Sequence, residues 1–120
     1  MRAAGFDAEV VGCAVLDAGG DHIGQVSTLY VDADTGAVSF AGVAMIRRGR
    51  RRIVFMPLAG ATLRRAALTL ACGKDLARRA PSVRPGETLP ADAEADLFAH
   101  FDMPYRSRPP GDGRQLTPYG

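Results

Sequence analysis

Five arginines in six positions, Arg47, Arg48, Arg50, Arg51 and Arg52 around Gly49, are the densest chemistry-bearing group in the chain. A guanidinium is planar, permanently charged and donates in a bidentate fork, which suits phosphate and carboxylate oxygens. Apolar, strand-like residues flank the group, so Arg47-Arg48-Gly49-Arg50 reads as a hairpin turn. The charges then share one tip, within a Debye length of each other. Such a tip offers a contact to RNA, anionic lipid headgroups or an acidic protein. The competing reading is a solvated turn in which arginine stands in for lysine. The lack of interleaved aromatics counts against single-stranded nucleic acid, whose binders stack bases on rings.

Other groups with chemical potential fall short of a site. His22 lies in a turn and His100 in a C-terminal helical stretch, and no Gly-x-Ser-x-Gly elbow supplies a nucleophile for either. Both read as solvated surface residues. Asp32, Asp34 and Gly36 resemble the start of a calcium loop, but the fifth position is Gly36 and the twelfth Val43, where oxygen donors are required. Turn-forming aspartates explain them better. Cys13 and Cys72 are far apart, sit in apolar runs and have no metal-ligand spacing, so they read as buried, reduced thiols. The expectation is no catalytic residue, no metal and no cofactor.

The elements that carry these residues are short and strand-like. Residues 10–16 read as a first apolar strand, ending in Asp17-Ala-Gly-Gly-Asp21, a turn that tolerates positive φ. From Ile23 to Val31 apolar residues alternate with polar ones, and the phase slips near Gly24 as at a β-bulge. Asp32 to Gly36 is the clearest hairpin signal. Residues 37–46 read as a central strand and 52–56 as its return, stopped by Pro57. Pieces at 61–63 and 67–72 form a last hairpin, 74–79 a helical turn or two, and 81–90 an extended crossing. Asp92 to Phe101 has Leu97, Phe98 and Phe101 at helical spacing, with acidic residues early, where the helix dipole favours them. Beyond Arg106, Pro, Gly and Arg predominate, which predicts a mobile tail.

About six strands joined by tight turns, without intervening helices, indicate an antiparallel sandwich or small barrel. The composition agrees: 14 glycines and 8 prolines, many between apolar runs, suit many turns. A chain of 120 residues holds one domain with a modest core. That core leans on Ala and Val and gains from extra apolar burial, so Phe98, Phe101, Met103 and Tyr105 on or after the terminal helix are candidates for self-association as a twofold dimer. A net charge of +2 excludes a general polycation, although the arginines are unevenly placed. No run of about 18 apolar residues is present, so no transmembrane helix is expected. Asp7 and Glu9 stand where a signal peptide needs apolar residues, which makes the cytoplasm the expected location.

The stretch from Val15 to Val38 also resembles the opening of PRC-barrel domains, through Asp17, Gly20, Ile23, Gly24, Val26, Leu29, Val31, Asp32, Thr35, Gly36 and Val38. Thr28 departs from the acidic residue many members carry there. Arg52-Ile-Val-Phe-Met-Pro-Leu58 resembles the family's strand before its proline, with Met56 in place of Val, and 74–81 resembles its closing helix and Ala-Pro. The resemblance implies a small all-β barrel of about six antiparallel strands with a short C-terminal helix. Asp17, Gly20, Gly24, Asp32 and Gly36 are its fold-defining turn positions. Similar barrels form the cytoplasmic part of the photosynthetic reaction-centre H subunit and the C-terminal half of ribosome maturation factors. Their common thread is protein contact without catalysis, so the resemblance implies an adaptor that binds another protein; the terminal-helix residues add self-association, and the arginine tip alone offers the alternative of RNA or anionic lipid. The organisation expected is an N-terminal segment 1–7, a barrel domain 8–82, a linker and helix 83–105, and a flexible tail 106–120.

Overall fold

The computed structural model of the chain describes residues 10–32, 38–87, 89, 91–101, 103 and 116–118. In chain order they form β1 (Ala14–Leu16), β2 (His22–Asp32), β3 (Val38–Arg47), β4 (Arg50–Pro57), β5 (Thr62–Arg64) and β6 (Ala67–Thr69). There follow α1 (Lys74–Arg78), β7 (Ser82–Val83), α2 (Ala91–His100) and β8 (Leu116–Pro118). The strands build one sheet in the order β5-β6-β1-β2-β3-β4-β7, and β8 pairs with the far end of β2. The expected all-β fold with a C-terminal helix is therefore present. Among the described residues it has eight strands where about six antiparallel ones were expected, and β1 runs parallel to β6. The additional strands are two and three residues long, too short for period-2 alternation to register.

Local chemistry explains the long central strands and their turns. The β1–β2 ladder pairs Val15 with Gly24 and then Leu16 with His22, leaving Ile23 as the extra residue of a bulge. That is the phase slip visible in the sequence. The first strand is shorter than 10–16, because Gly12 takes φ +94 and the Cys13 N–H donates back to the Val10 carbonyl, making a turn there. Asp17 closes the β1–β2 connection: its buried Oδ1 accepts from the backbone N–H of Gly19 at 2.8 Å and of Asp21 at 3.0 Å. β2 and β3 pair antiparallel up to Val31–Val38. The turn between them, with Asp34 and Gly36, lies outside the described residues.

Two tight hairpins have the same mirror-image turn. Arg47 faces Arg50 across β3–β4, and Arg48 and Gly49 between them have φ of 53° and 75°. In β5–β6 the equivalent residues are Arg65 and Ala66 at 50° and 62°, so neither turn position is glycine. A left-handed conformation costs a residue with a Cβ on the order of 1 kcal/mol. Ala66→Gly is therefore expected to raise the melting temperature by a few degrees, measurable by thermal circular dichroism; an unchanged or lower value would contradict the strain.

The sheet separates two cores. Its inner face buries Val15, Val26, Leu29, Val43, Val54, Met56 and Leu68 in one aliphatic cluster. Because β6 and β4 lie on opposite sides of β2 in the strand order yet share this cluster, the sheet must roll around it. Ala77 of α1 and Ala80 belong to the same cluster. The outer face of β2–β4 carries Tyr30, Phe40, Ile53 and Phe55, covered by Leu97 and Phe98 of α2, Leu116 of β8 and Val83. Val and Ala are numerous in the inner cluster, as the composition predicts, but Leu29, Met56, Leu58, Leu68 and Leu70 give it bulk, and the buried aromatics Phe40, Phe55 and Phe98 lie in the outer one.

β8 revises the expectation of a mobile tail over 106–120. Leu116–Pro118 pairs with Asp32–Tyr30, Leu116 is buried, and the remainder of that tail lies outside the described residues. Glu94 explains the anchoring: it is 1% exposed, and its Oε2 accepts from the Leu116 N–H at 3.1 Å. A buried carboxylate needs such donors to offset its lost hydration.

Candidate functional site

Strand register sorts the arginines into three settings. Directly opposed residues of an antiparallel pair point to the same face, and the faces alternate along each strand. The row Val43–Val54, Met45–Arg52 and Arg47–Arg50 therefore runs from the inner core out to the mouth of the barrel. Ile46 and Arg51 take the outer face, and Arg48 sits in the turn itself. The five residues do not act as one cluster.

Arg47 and Arg52 are half-buried and turned inward. Arg47 Nη2 donates to the Ala77 carbonyl at 3.4 Å, both of its terminal nitrogens reach the Ala80 carbonyl at 3.3 Å, and Nη1 contacts Ser82 Oγ at 3.5 Å. It thereby adds a second donor to the Ala77 carbonyl, which already accepts from the Ala80 N–H, and reaches the Ala80 carbonyl just past α1. Arg52 donates from Nε to Ser82 Oγ at 3.1 Å and from Nη2 to the Ser82 carbonyl at 3.2 Å. Burial first, and then the charges of Arg52 and Arg48, lower Arg47 from its ordinary guanidinium value. These two side chains bolt the hairpin to the segment after it. Arg48, Arg50 and Arg51 are exposed.

All of the hairpin arginines except Arg51 edge a cleft of about 1120 Å³. Ile23, Met45, Ile46 and Ala77 supply apolar lining, with Ile23 and Met45 resting on the inner core. Arg47, Arg48, Arg50, Arg52 and Arg79 supply cationic lining, His22 and Ser82 stand beside them, and among the described residues no aspartate, glutamate, Phe, Tyr or Trp lines it. Such a cleft can hold an anionic group against an apolar surface. The sequence singled out the hairpin arginines but not Ile23, Met45, Ala77, Arg79 and Ser82. The register of the hairpin, with Arg47 opposite Arg50, was the available signal for Met45. Nothing local to 77–82 signals that it folds against the hairpin.

The other candidates fall elsewhere. Phe98 is 2% exposed and packs on Phe40 with ring centroids 5.2 Å apart. Phe101 and Met103 are half-buried on the same outer core, and Tyr105 lies outside the described residues. Phe98 could meet a second subunit only by leaving its own barrel. His22 is exposed, as expected of it. His100 is half-buried instead of solvated: its Nε2 is 2.8 Å from the Leu76 carbonyl, joining α2 to α1, and its ring meets Phe101 edge-on. Cys13 and Cys72 are half-buried thiols; burial, reinforced by the Asp17 carboxylate against an opposing backbone hydrogen bond, raises the Cys72 thiol. Among the described residues, no group of three or more His, Cys, Asp and Glu is placed to hold a metal ion, and no helix is long and apolar enough to cross a membrane.

Comparison with known proteins adds one finding. No curated protein matches the chain. The family model of the PRC-barrel domain matches residues 4–68, from before β1 into β6, while α1, β7, α2 and β8 lie beyond the match. The bulge at Ile23–Gly24, the Asp17 turn and the rolled sheet all fall within it. With more than half of its length so matched, the chain belongs to the PRC-barrel domain family.

Proposed function

We propose that the chain is a non-catalytic interaction module whose working surface is the cleft at the barrel mouth, and that its partner is anionic there. The observation that supports this reading is the lining: five arginines and no acidic residue around an apolar floor. Like charges so close repel one another, and an anionic partner relieves that repulsion. Two of the arginines are already held in place, which lowers the ordering cost of binding.

The test uses the full chain and an Arg48→Ser/Arg50→Ser/Arg79→Ser variant, which leaves the anchored Arg47 and Arg52 intact. Affinity for a short anionic probe is expected to fall steeply with added salt in the parent chain and to drop on the order of tenfold or more in the variant. Binding indifferent to both would rule the reading out. A second reading, docking to an anionic membrane, is supported by Ile46, which is 66% exposed on the outer side of the tip opposite Arg51.

A further inference from the structure

Resting on that reading, we infer that the partner at the mouth is an acidic protein segment carrying an apolar side chain, seated with the side chain on Met45 and Ile23 and its carboxylates on the arginine rim. Three observations narrow the choice. The floor is apolar and continuous with the aliphatic core, since Ile23 and Met45 pack against it from the open side. A partner offering charge alone would leave that floor wet. Among the described residues the cleft lining has no Phe, Tyr or Trp and only the single ring of His22, so successive bases find no row of platforms to stack on, which disfavours single-stranded RNA. Its walls come from separate parts of the chain, the β3–β4 hairpin on one side and Ala77, Arg79 and Ser82 on the other. Ile46 edges this recess with its side chain largely exposed, and a planar lipid surface would cover that edge without filling the recess between two walls. The volume, about 1120 Å³, lies at the upper end of small-ligand pockets and suits several residues of a peptide.

The rim groups divide the work. Arg47 and Arg52 spend donors on the carbonyls of Ala77, Ala80 and Ser82, so they present a fixed positive wall. Arg48, Arg50 and Arg79 are exposed and can close on carboxylates in a bidentate fork. Specificity then comes from the pairing of a buried apolar anchor with flanking acidic groups, a common division between core and rim in protein interfaces.

The experiment titrates the full chain with two fluorescent peptides of equal length and charge, one of glutamates spaced by serine and the other with a central leucine replacing serine. A single-stranded oligouridine and phosphatidylserine vesicles serve as rival probes. The leucine peptide is expected to bind about tenfold tighter than its serine counterpart. Met45→Gln should erase that difference, and Arg79→Ser should weaken both peptides alike. Intermolecular nuclear Overhauser contacts from the peptide's leucine methyls to Met45 and Ile23 in the unmutated chain give the same answer without relying on a variant that must fold. Equal affinity for the two peptides, or preference for the RNA or the vesicles, would overturn the acidic-segment inference while leaving an anionic partner at the mouth. No binding by any of the four would overturn both.

Discussion

Phe98→Ala is expected to cost about 3–5 kcal/mol of stability. The ring is 2% exposed between α2 and the outer sheet face, 5.2 Å from Phe40, in a cluster that also takes in Phe55, Leu97 and Leu116. Its removal leaves a cavity that the sheet cannot collapse to fill, because Phe40 and Phe55 are fixed on adjacent, fully hydrogen-bonded strands. For a domain of ordinary stability that loss is a large fraction of the total. Urea unfolding followed by circular dichroism measures it, and the loss should be the same at low and high protein concentration. A loss that disappears on raising concentration would mean that Phe98 completes a core between two subunits, because association stabilises by mass action.

Gly24→Ala is expected to be comparably damaging, at about 3 kcal/mol or more and a fall in melting temperature of roughly 10 °C or more. Gly24 is buried in β2, and a Cβ there would fall on the Ala44 carbonyl oxygen and within 2.8 Å of Val43 Cγ1. Backbone on the neighbouring strand cannot step aside as a flexible side-chain tip can, so the β2–β3 ladder must open next to the bulge. Gly20 makes the contrast. It has open space around it but φ of +90°, so Gly20→Ala carries only conformational strain, on the order of 1 kcal/mol. Thermal melts of the two variants separate crowding from strain; equal losses would show that the cross-strand approach at Gly24 is not what requires glycine.

These two positions also show how far the sequence could be read. The Asp17 turn, the slip at Gly24 and the hairpin at Arg48–Gly49 were legible because each is a local event written in turn chemistry within a few residues. The long strands were legible from the alternation at Ile23 to Val31 and the apolar residues of 37–46 bounded by turn signals. What could not be read were pairings across the chain. Glu94 looks like an ordinary acidic residue early in a helix, and only the fold places it under Leu116 to hold β8. Phe40 and Phe55 sat unremarked in two successive apolar strands, whereas alternation across the β3–β4 register sends them to a second, aromatic core. The candidate site divides in the same way. Its arginines were conspicuous, but their separation into an anchored pair and an exposed rim depends on carbonyls some 30 residues further along the chain.

The central claim, that the barrel mouth is the working surface, is tested most directly by mapping backbone amide and methyl chemical shifts as an acidic peptide is titrated into the full chain. The largest shifts are expected at Ile23, Met45, Arg48, Arg50, Ala77 and Arg79, fading as salt is added. Shifts concentrated instead at Phe98, Phe101 and β8, or none at the mouth at peptide saturation, would contradict it.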